Sequence, residues 1–502
     1  MNLRTVRSSL SSLTSLSFLR ARRTGTSEDG FDRRLLAPMM LGAILNPVNS
    51  AILAVSLVPI GAAFGAAPAA TAWLVSALYL ATAIGQPVVG RLVDLHGPRR
   101  LFLAGTALTG LAGLVGMLAP NLGVLIAARV LLGFGTCAGY PAAMYLVRSE
   151  ADRTGRDSPA AVLTALAVTT QTVAVIGPSL GGLLIGLGGW RTTLAVNIPL
   201  ALAGLYLGAR RLPRTASPQR TAPPQGSRGS LAADLDLAGM ALFAAALVPL
   251  LLFLMHPSAG EWYLPVVTVL AAACFARRER TAANPFIDLR VLGGNLPLIA
   301  TYVRALLAYT VAYAFLYGCT QWMQEGRGLT APQAGLAQLP LFGTAIVVSA
   351  VTGRRRQVRG KLLAGAVGQI AACTLVLLLG PHSPLWLLLL VALAFGIPQG
   401  LNGLALQSAV YHQAHPERIG SSAGLLRTFG YLGAIVAAAA TGAFLGHGAD
   451  TAGLHQLAWF MLATAVLYLL ATVGDRSLRQ VGAPPRDTPA PPAAATAPTR
   501  GR

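Results

Sequence analysis

Long apolar runs, separated by short polar stretches, repeat along nearly the whole chain. They lie near residues 36–60, 72–90, 101–119, 122–147, 161–187 and 192–209, then 237–255 and 262–276, then 298–320, 332–352, 362–380, 385–409, 423–446 and 456–474. A hydrocarbon core of ~30 Å divided by ~1.5 Å rise per residue calls for ~20 apolar residues in a spanning helix. Lipid offers the backbone no hydrogen-bond partner, so a spanning run must satisfy its own amides, as a helix does. The pattern therefore predicts an all-α polytopic membrane protein with about 14 transmembrane helices, grouped six, two and six.

The polar stretches divide the chain. Residues 1–34 are rich in Ser and Arg, and the only apolar stretch, Leu13 to Leu19, is broken by serines. A signal peptide needs an uninterrupted apolar core, so this reads as a cytoplasmic tail. Residues 35–210 form a first six-helix bundle, 211–235 a linker, 236–276 two additional helices, 277–297 a basic loop, 298–475 a second six-helix bundle and 476–502 a Pro/Ala-rich disordered tail. Pro218, Pro223, Pro224 and Gly226 give the linker its flexible composition.

Composition agrees with a membrane protein. Hydrophobic residues make up 54% and charged residues 11% of the 502 positions, against roughly 25% charged in soluble domains. The net charge of +21 would suggest nucleic acid in a soluble protein. Its distribution argues otherwise: 33 of the 38 Lys and Arg residues fall in the two tails and in alternate loops. Basic residues gather on the cytoplasmic side of membrane proteins. Both termini and the linker are thus placed in the cytoplasm, the protein in the plasma (inner) membrane, and nucleic acid is excluded as a partner. Arg191 and Arg327 lie in the opposite loops, and Arg129, Arg304 and Arg427 inside segments. The four cysteines show no metal-ligand spacing, and no metal site is expected.

Three strings carry chemistry. Between the second and third segments lies Gly90-Arg91-Leu92-Val93-Asp94-Leu95-His96-Gly97-Pro98-Arg99-Arg100. Gly90 permits close approach, Gly97-Pro98 a tight turn, and Asp94 is the lone acid, suited to a helix N-terminus or an Arg. The fourth segment holds Arg129 with Gly133 and Gly135, and charge inside a membrane segment is costly and usually functional. The fifth holds Gly177-Pro178-Ser179-Leu180-Gly181-Gly182, where Pro178 bends a helix and the glycines pack it closely. Plain alternatives exist for each: a basic turn, a snorkelling Arg, and packing alone.

These strings resemble the signatures of the major facilitator superfamily, and the third looks like the antiporter signature of its drug-efflux branches. Gly189-Trp190-Arg191, Asn197-Ile198-Pro199, Asn284-Pro285-Phe286-Ile287-Asp288-Leu289-Arg290 and Arg304 with Tyr317-Gly318 and Gln321-Trp322 are similar to the fourteen-helix branch. The resemblance covers roughly residues 35–475 and implies the major facilitator fold. It implies a gating loop of Gly90, Arg91, Asp94, Gly97, Arg99 and Arg100, a link of Arg129 to proton coupling, and a cavity-sealing bend at Gly177, Pro178, Gly181 and Gly182. Two departures stand out. Leu132 occupies a position where the family often has Gln, and the first segment reads Asn46-Pro47-Val48-Asn49 where exporters of cationic drugs commonly carry a carboxylate. No Asp or Glu lies well inside a predicted helix. Coupling or cavity candidates are therefore Arg129, Arg304, Asn46, Asn49, Gln171 and Gln321, with Gln86, Gln399 and Asn402 as further polar positions. Two cavity arginines without acids would favour neutral or anionic substrates.

The expected function is export of a drug, antibiotic or metabolite by alternating access around a midplane cavity, coupled to protons as an antiport. The expected partners are the substrate, protons and the bilayer, with the protein working as a monomer. Uptake or export of one specific metabolite, or a non-transporting membrane sensor, are the alternatives. No P-loop and no HExxH motif occur in the sequence. An enzyme is not expected, nor a cofactor.

Overall fold

The computed structural model describes residues 31–479, apart from 67, 155–159, 215–235, 256–258, 283, 284, 288, 330, 354–356 and 446–448. The tails up to 30 and from 480, and the linker from 215, lie outside the described residues.

The first half comprises α1 (Leu36–Phe64), α2 (Pro68–His96), α3 (Pro98–Met117), α4 (Leu122–Thr136), α5 (Gly139–Thr154), α6 (Ala160–Gly188), α7 (Trp190–Ala195) and α8 (Asn197–Arg211). A hairpin of α9 (Leu237–Met255) and α10 (Tyr263–Thr281) follows. The second half comprises α11 (Leu289–Gly294), α12 (Leu296–Ala314), α13 (Ala331–Thr352), α14 (Val358–Val376), α15 (Leu385–Gln413), α16 (Ile419–Leu445) and α17 (Thr451–Val473). Every apolar run of the sequence lies on a helix, and no strand occurs among the described residues. Ten helical spans among the described residues are long and apolar enough to cross a membrane.

Boundaries differ from the expected ones in instructive places. The 122–147 run is two helices that meet at Cys137 and Ala138. After Ala314 the chain continues through π-helical turns at Phe315–Cys319 and Trp322–Gly326. The stretch expected as a loop from Gly90 is helical as far as His96, so Arg91 and Asp94 ride on the last turns of α2. Apolar patterning marks where hydrocarbon ends, whereas a helix ends where its backbone bonding is interrupted. Here that point is Gly97, at φ +86°, with Pro98 opening α3. A positive φ is readily adopted by Gly, and Pro suits a first helical position, where an amide would be unpaired.

Within the first half α1 packs on α6, and α3 on α4 and α8. Within the second, α15 packs on α13 and α14, and α12 on α16 and α17. The halves meet chiefly through α2 with α16, α6 with α13 and α5 with α16. One buried cluster joins them at the end where the basic loops lie, running from Val93, Met144 and Leu163 to Leu404, Ala409 and Leu425. At the opposite end each half has its own core: Leu53, Ile60, Leu74 and Trp190 in the first, Phe315, Trp322, Leu388 and Leu457 in the second. The halves are therefore closed at the basic end. The extra hairpin lies along their seam, with Leu247 of α9 against Ala83, Tyr431 and Ile435.

Candidate functional site

α2 and α16 run antiparallel in fixed register. A Cβ on Gly90 would sit 2.5 Å from the Gly420 oxygen, and one on Gly424 2.4 Å from the Gln86 oxygen. One turn further the Thr428 hydroxyl donates to the Ala83 carbonyl at 2.8 Å, and the Tyr79 and Tyr431 rings lie 5.7 Å apart. Small residues on both helices allow this approach. Asp94 closes the basic end of the seam. Its carboxylate accepts the Gly420 amide at 2.8 Å and the Ser421 amide at 2.8 Å, and also the Ser421 hydroxyl. Gly420 and Ser421 form the first turn of α16, where amides have no partner within the helix and the dipole favours an anion.

The other residues of the expected gating loop divide. Arg91 is half-buried and adds a positive charge beside Asp94. Arg99 donates to the Ala209 carbonyl at 2.9 Å and so holds α3 to the end of α8. Arg100 is exposed. Across the same end Arg148 of α5 lies 5.7 Å from the Tyr411 ring centroid of α15.

The two expected cavity arginines are placed differently from each other and from expectation. Arg304 is fully buried and ion-paired to Asp475, just beyond α17, and also donates to Thr301 at 3.0 Å. The expectation of an Arg without an acid fails here because its partner comes from beyond the last apolar run, out of reach of any local pattern. Arg129 is 1% exposed. Its Nε and Nη1 find no hydrogen-bond partner among the described residues, and Leu132, buried beside it in sequence, offers none. Asn46 donates to Thr82 and Thr136 and accepts from Tyr431. Asn49 exchanges amide hydrogen bonds with Asn197 at 2.7 and 2.9 Å. Both asparagines hold helices together. Gln171 is half-buried on α6, and Gln321 donates to Glu325 at 3.1 Å. In the glycine-rich string of α6, Gly177 and Gly181 lie against α1, whereas Gly182 faces open space.

The sequence did not single out a further polar group in the seam. Arg427 of α16 lies over the Tyr140 ring, 4.1 Å from its centroid. Tyr309, Tyr313 and Tyr431 also face its charge. Arg427 is half-buried and makes neither an ion pair nor a hydrogen bond among the described residues. Tyr309 and Tyr313 on α12 and Tyr317 in the π-helical turn that continues it follow one another, with centroids 6.2 and 5.5 Å apart. The available signal was three tyrosines at four-residue spacing, which a helix stacks on one side.

A second polar group sits at the basic end of the hairpin. Asp236 accepts from Arg278 at 2.9 and 2.7 Å, from the Gly239 amide at 3.0 Å and from the Phe286 amide at 3.2 Å. Glu279 accepts the Ile287 amide at 2.8 Å. Thus the Pro-Phe-Ile part of the string at 285–287 is held by two carboxylates. Burial pushes Asp236 up, but the Arg278, Gly239 and Phe286 donors outweigh it and leave it below its ordinary value. Burial, reinforced by neighbouring Asp236, pushes Glu279 up to about 7.

The sequence profile of the Major Facilitator Superfamily matches residues 39–438. The chain belongs to that superfamily. This major facilitator is 30% identical over 442 residues to the MFS-type transporter YwoD of Bacillus subtilis (strain 168), covering 87% of this chain and 96% of YwoD. It is 32% identical over 450 residues to the cephamycin export protein CmcT of Amycolatopsis lactamdurans, covering 84% of this chain and 88% of CmcT. Among solved structures, the human organic anion transporter MFSD10 superposes with a TM-score of 0.62 at 17% identity, covering 88% of this chain and all of that one. At such identity the likeness concerns the fold alone. The chain is thus a multi-pass membrane protein of a transporter family and not an enzyme.

Proposed function

We propose that this major facilitator exports a small molecule, of antibiotic or metabolite type, by alternating access coupled to inward proton flow. The observation that carries the reading is the asymmetric closure: Asp94 and the first turn of α16 hold the halves together at the basic end, while the cores at the opposite end are separate. A bundle closed at one end around a polar seam is one of the two states that alternating access requires. With both termini cytoplasmic and fourteen crossings, the basic end is the inner gate and the present state faces outward. Asp94 with Gly90 and Arg91 forms the latch. The antiporter-type helix and buried Arg129 support proton antiport, and the relation to CmcT supports export.

The test is transport by purified protein in proteoliposomes with an imposed pH gradient, using cephamycin within a panel of antibiotics. Gradient-driven movement of at least one compound, abolished by collapsing the gradient, is expected. Movement indifferent to the gradient would remove proton antiport, and a reporter fused at the C-terminus that behaves as extracellular would reverse the gate assignment.

A further inference from the structure

We infer that Arg427 is the charge-selecting residue of the substrate cavity, and that the molecule it selects is a flat aromatic anion. The inference deepens the transporter reading and rests on it for the substrate's being carried at all.

The three arginines inside segments differ in what they can meet. Arg304 is neutralised by Asp475. Arg129 is sealed from water. Arg427 alone of the three is both deep in the seam and partly open. The groups its charge meets most strongly are phenols, from α5 (Tyr140), α12 (Tyr309, Tyr313) and α16 (Tyr431), and it forms no ion pair among the described residues. Ring stacking with Tyr140 weakly offsets the charge and leaves its donors free. A guanidinium presents its N–H groups as a planar fork that fits a carboxylate or sulfonate in two-point fashion. An uncompensated cation in a poorly solvated seam raises the affinity of an anion and repels a cation.

The walls add the second half of the specificity. Tyr79 and Tyr431 face each other at 5.7 Å, and Tyr309 and Tyr313 at 6.2 Å. Those spacings put each pair in ring–ring contact, so the pairs present an aromatic surface beside Arg427 against which a flat ring can pack, while the Tyr431 hydroxyl is already given to Asn46. Both halves contribute rings, from α2 and α5 on one side and α12 and α16 on the other. Arg427 stands on the helix whose first turn is held by Asp94, so an anion seated on it touches the gate helix directly.

The test uses three probes that share one ring system: naphthoate, naphthamide and naphthylmethylammonium. Equilibrium binding to the full chain in detergent is measured first, then flux in proteoliposomes. Wild type is expected to bind naphthoate at least about tenfold more tightly than the amide, as one charge-assisted contact implies, and the ammonium most weakly. Arg427→Gln is expected to erase the difference between acid and amide, while Arg427→Lys restores part of it. Equal or absent binding of all three by wild type, or a preference for naphthoate that survives Arg427→Gln, overturns the inference. Arg427-dependent binding of naphthoate without flux of any probe leaves the anion site standing and counts against transport. Flux that favours the ammonium leaves transport standing and overturns the anion site.

Discussion

Asp94 on α2 and Ser421 on α16 join the two halves through the amide and hydroxyl of Ser421, with the Gly420 amide on the second carboxylate oxygen. The contact links a residue at the end of one helix to the beginning of another 327 positions later. It uses amides that α16 cannot satisfy itself. Water can replace these bonds wherever the halves part, so the contact is not a permanent fastening.

Replacing Asp94 by Asn removes the charge and turns one acceptor into a donor that faces a donor. Loss of charge-assisted hydrogen bonds costs about 2 kcal/mol, here of the closed basic end rather than of the fold. Asp94→Asn should therefore insert and purify normally, yet transport about tenfold more slowly. Spin labels at exposed Arg100 and His415, with exposed Cys274 replaced by Ser, should report a wider separation in the variant. An unchanged distance distribution together with full transport would remove the latch role.

The glycines of the α6 string are not equivalent. A Cβ at Gly177 would sit 2.3 Å from the Ala51 side chain of α1, and one at Gly182 meets nothing within 4 Å. Overpacking a close helix contact costs about 1–3 kcal/mol. Gly177→Ala should lower the thermal midpoint in detergent and the yield of folded protein, while Gly182→Ala should leave both unchanged. Equal tolerance of the two substitutions would show that α6 stands off α1 more than the contact implies.

What was legible in the sequence follows from the range of each interaction. Helix positions come from local apolar runs, and each run lies on helix, whereas the short α11 (Leu289–Gly294) falls in the stretch expected as a basic loop. The turn at Gly97-Pro98 was legible, but not that α2 continues to it, because Arg91 and Asp94 are polar yet still helical. Asp94 could be picked out as the lone acid in its stretch, but its partners Gly420 and Ser421 belong to another helix with no charge to betray them. Arg304 looked unpaired because Asp475 lies beyond the last run. Arg427 was visible as a charge inside a segment, yet nothing local distinguishes it from Arg129. Only the packing of α5, α12 and α16 around it gathers the tyrosines.

The hairpin between the halves carries a pH-dependent contact. An oxygen of Asp236 and an oxygen of Glu279 each lie 2.3 Å from where a Cβ on Gly239 would sit, so the two carboxylates share one small space. Burial first, and Asp236 second, raise Glu279 from 4.5 to about 7. A folded-state value above the unfolded one means that the native state holds its proton more tightly. The stabilisation from that proton is complete below the ordinary value of 4.5 and is lost as pH rises through about 7. Asp236 is shifted downward, so its contribution is lost only on acidification, in a separate window. Above neutrality two like charges then meet beside Gly239, and the 285–287 stretch that both acids hold should loosen. Glu279→Gln keeps an acceptor for the Ile287 amide and a donor toward Asp236, which imitates the protonated acid. The wild-type thermal midpoint should fall as pH is raised across neutrality, and the Glu279→Gln curve should be flatter there, with the two converging in mild acid. Hydrogen exchange at Phe286 and Ile287 should accelerate over the same interval in wild type only. Parallel midpoint curves for the two proteins across neutrality would mean that Glu279 does not hold this proton.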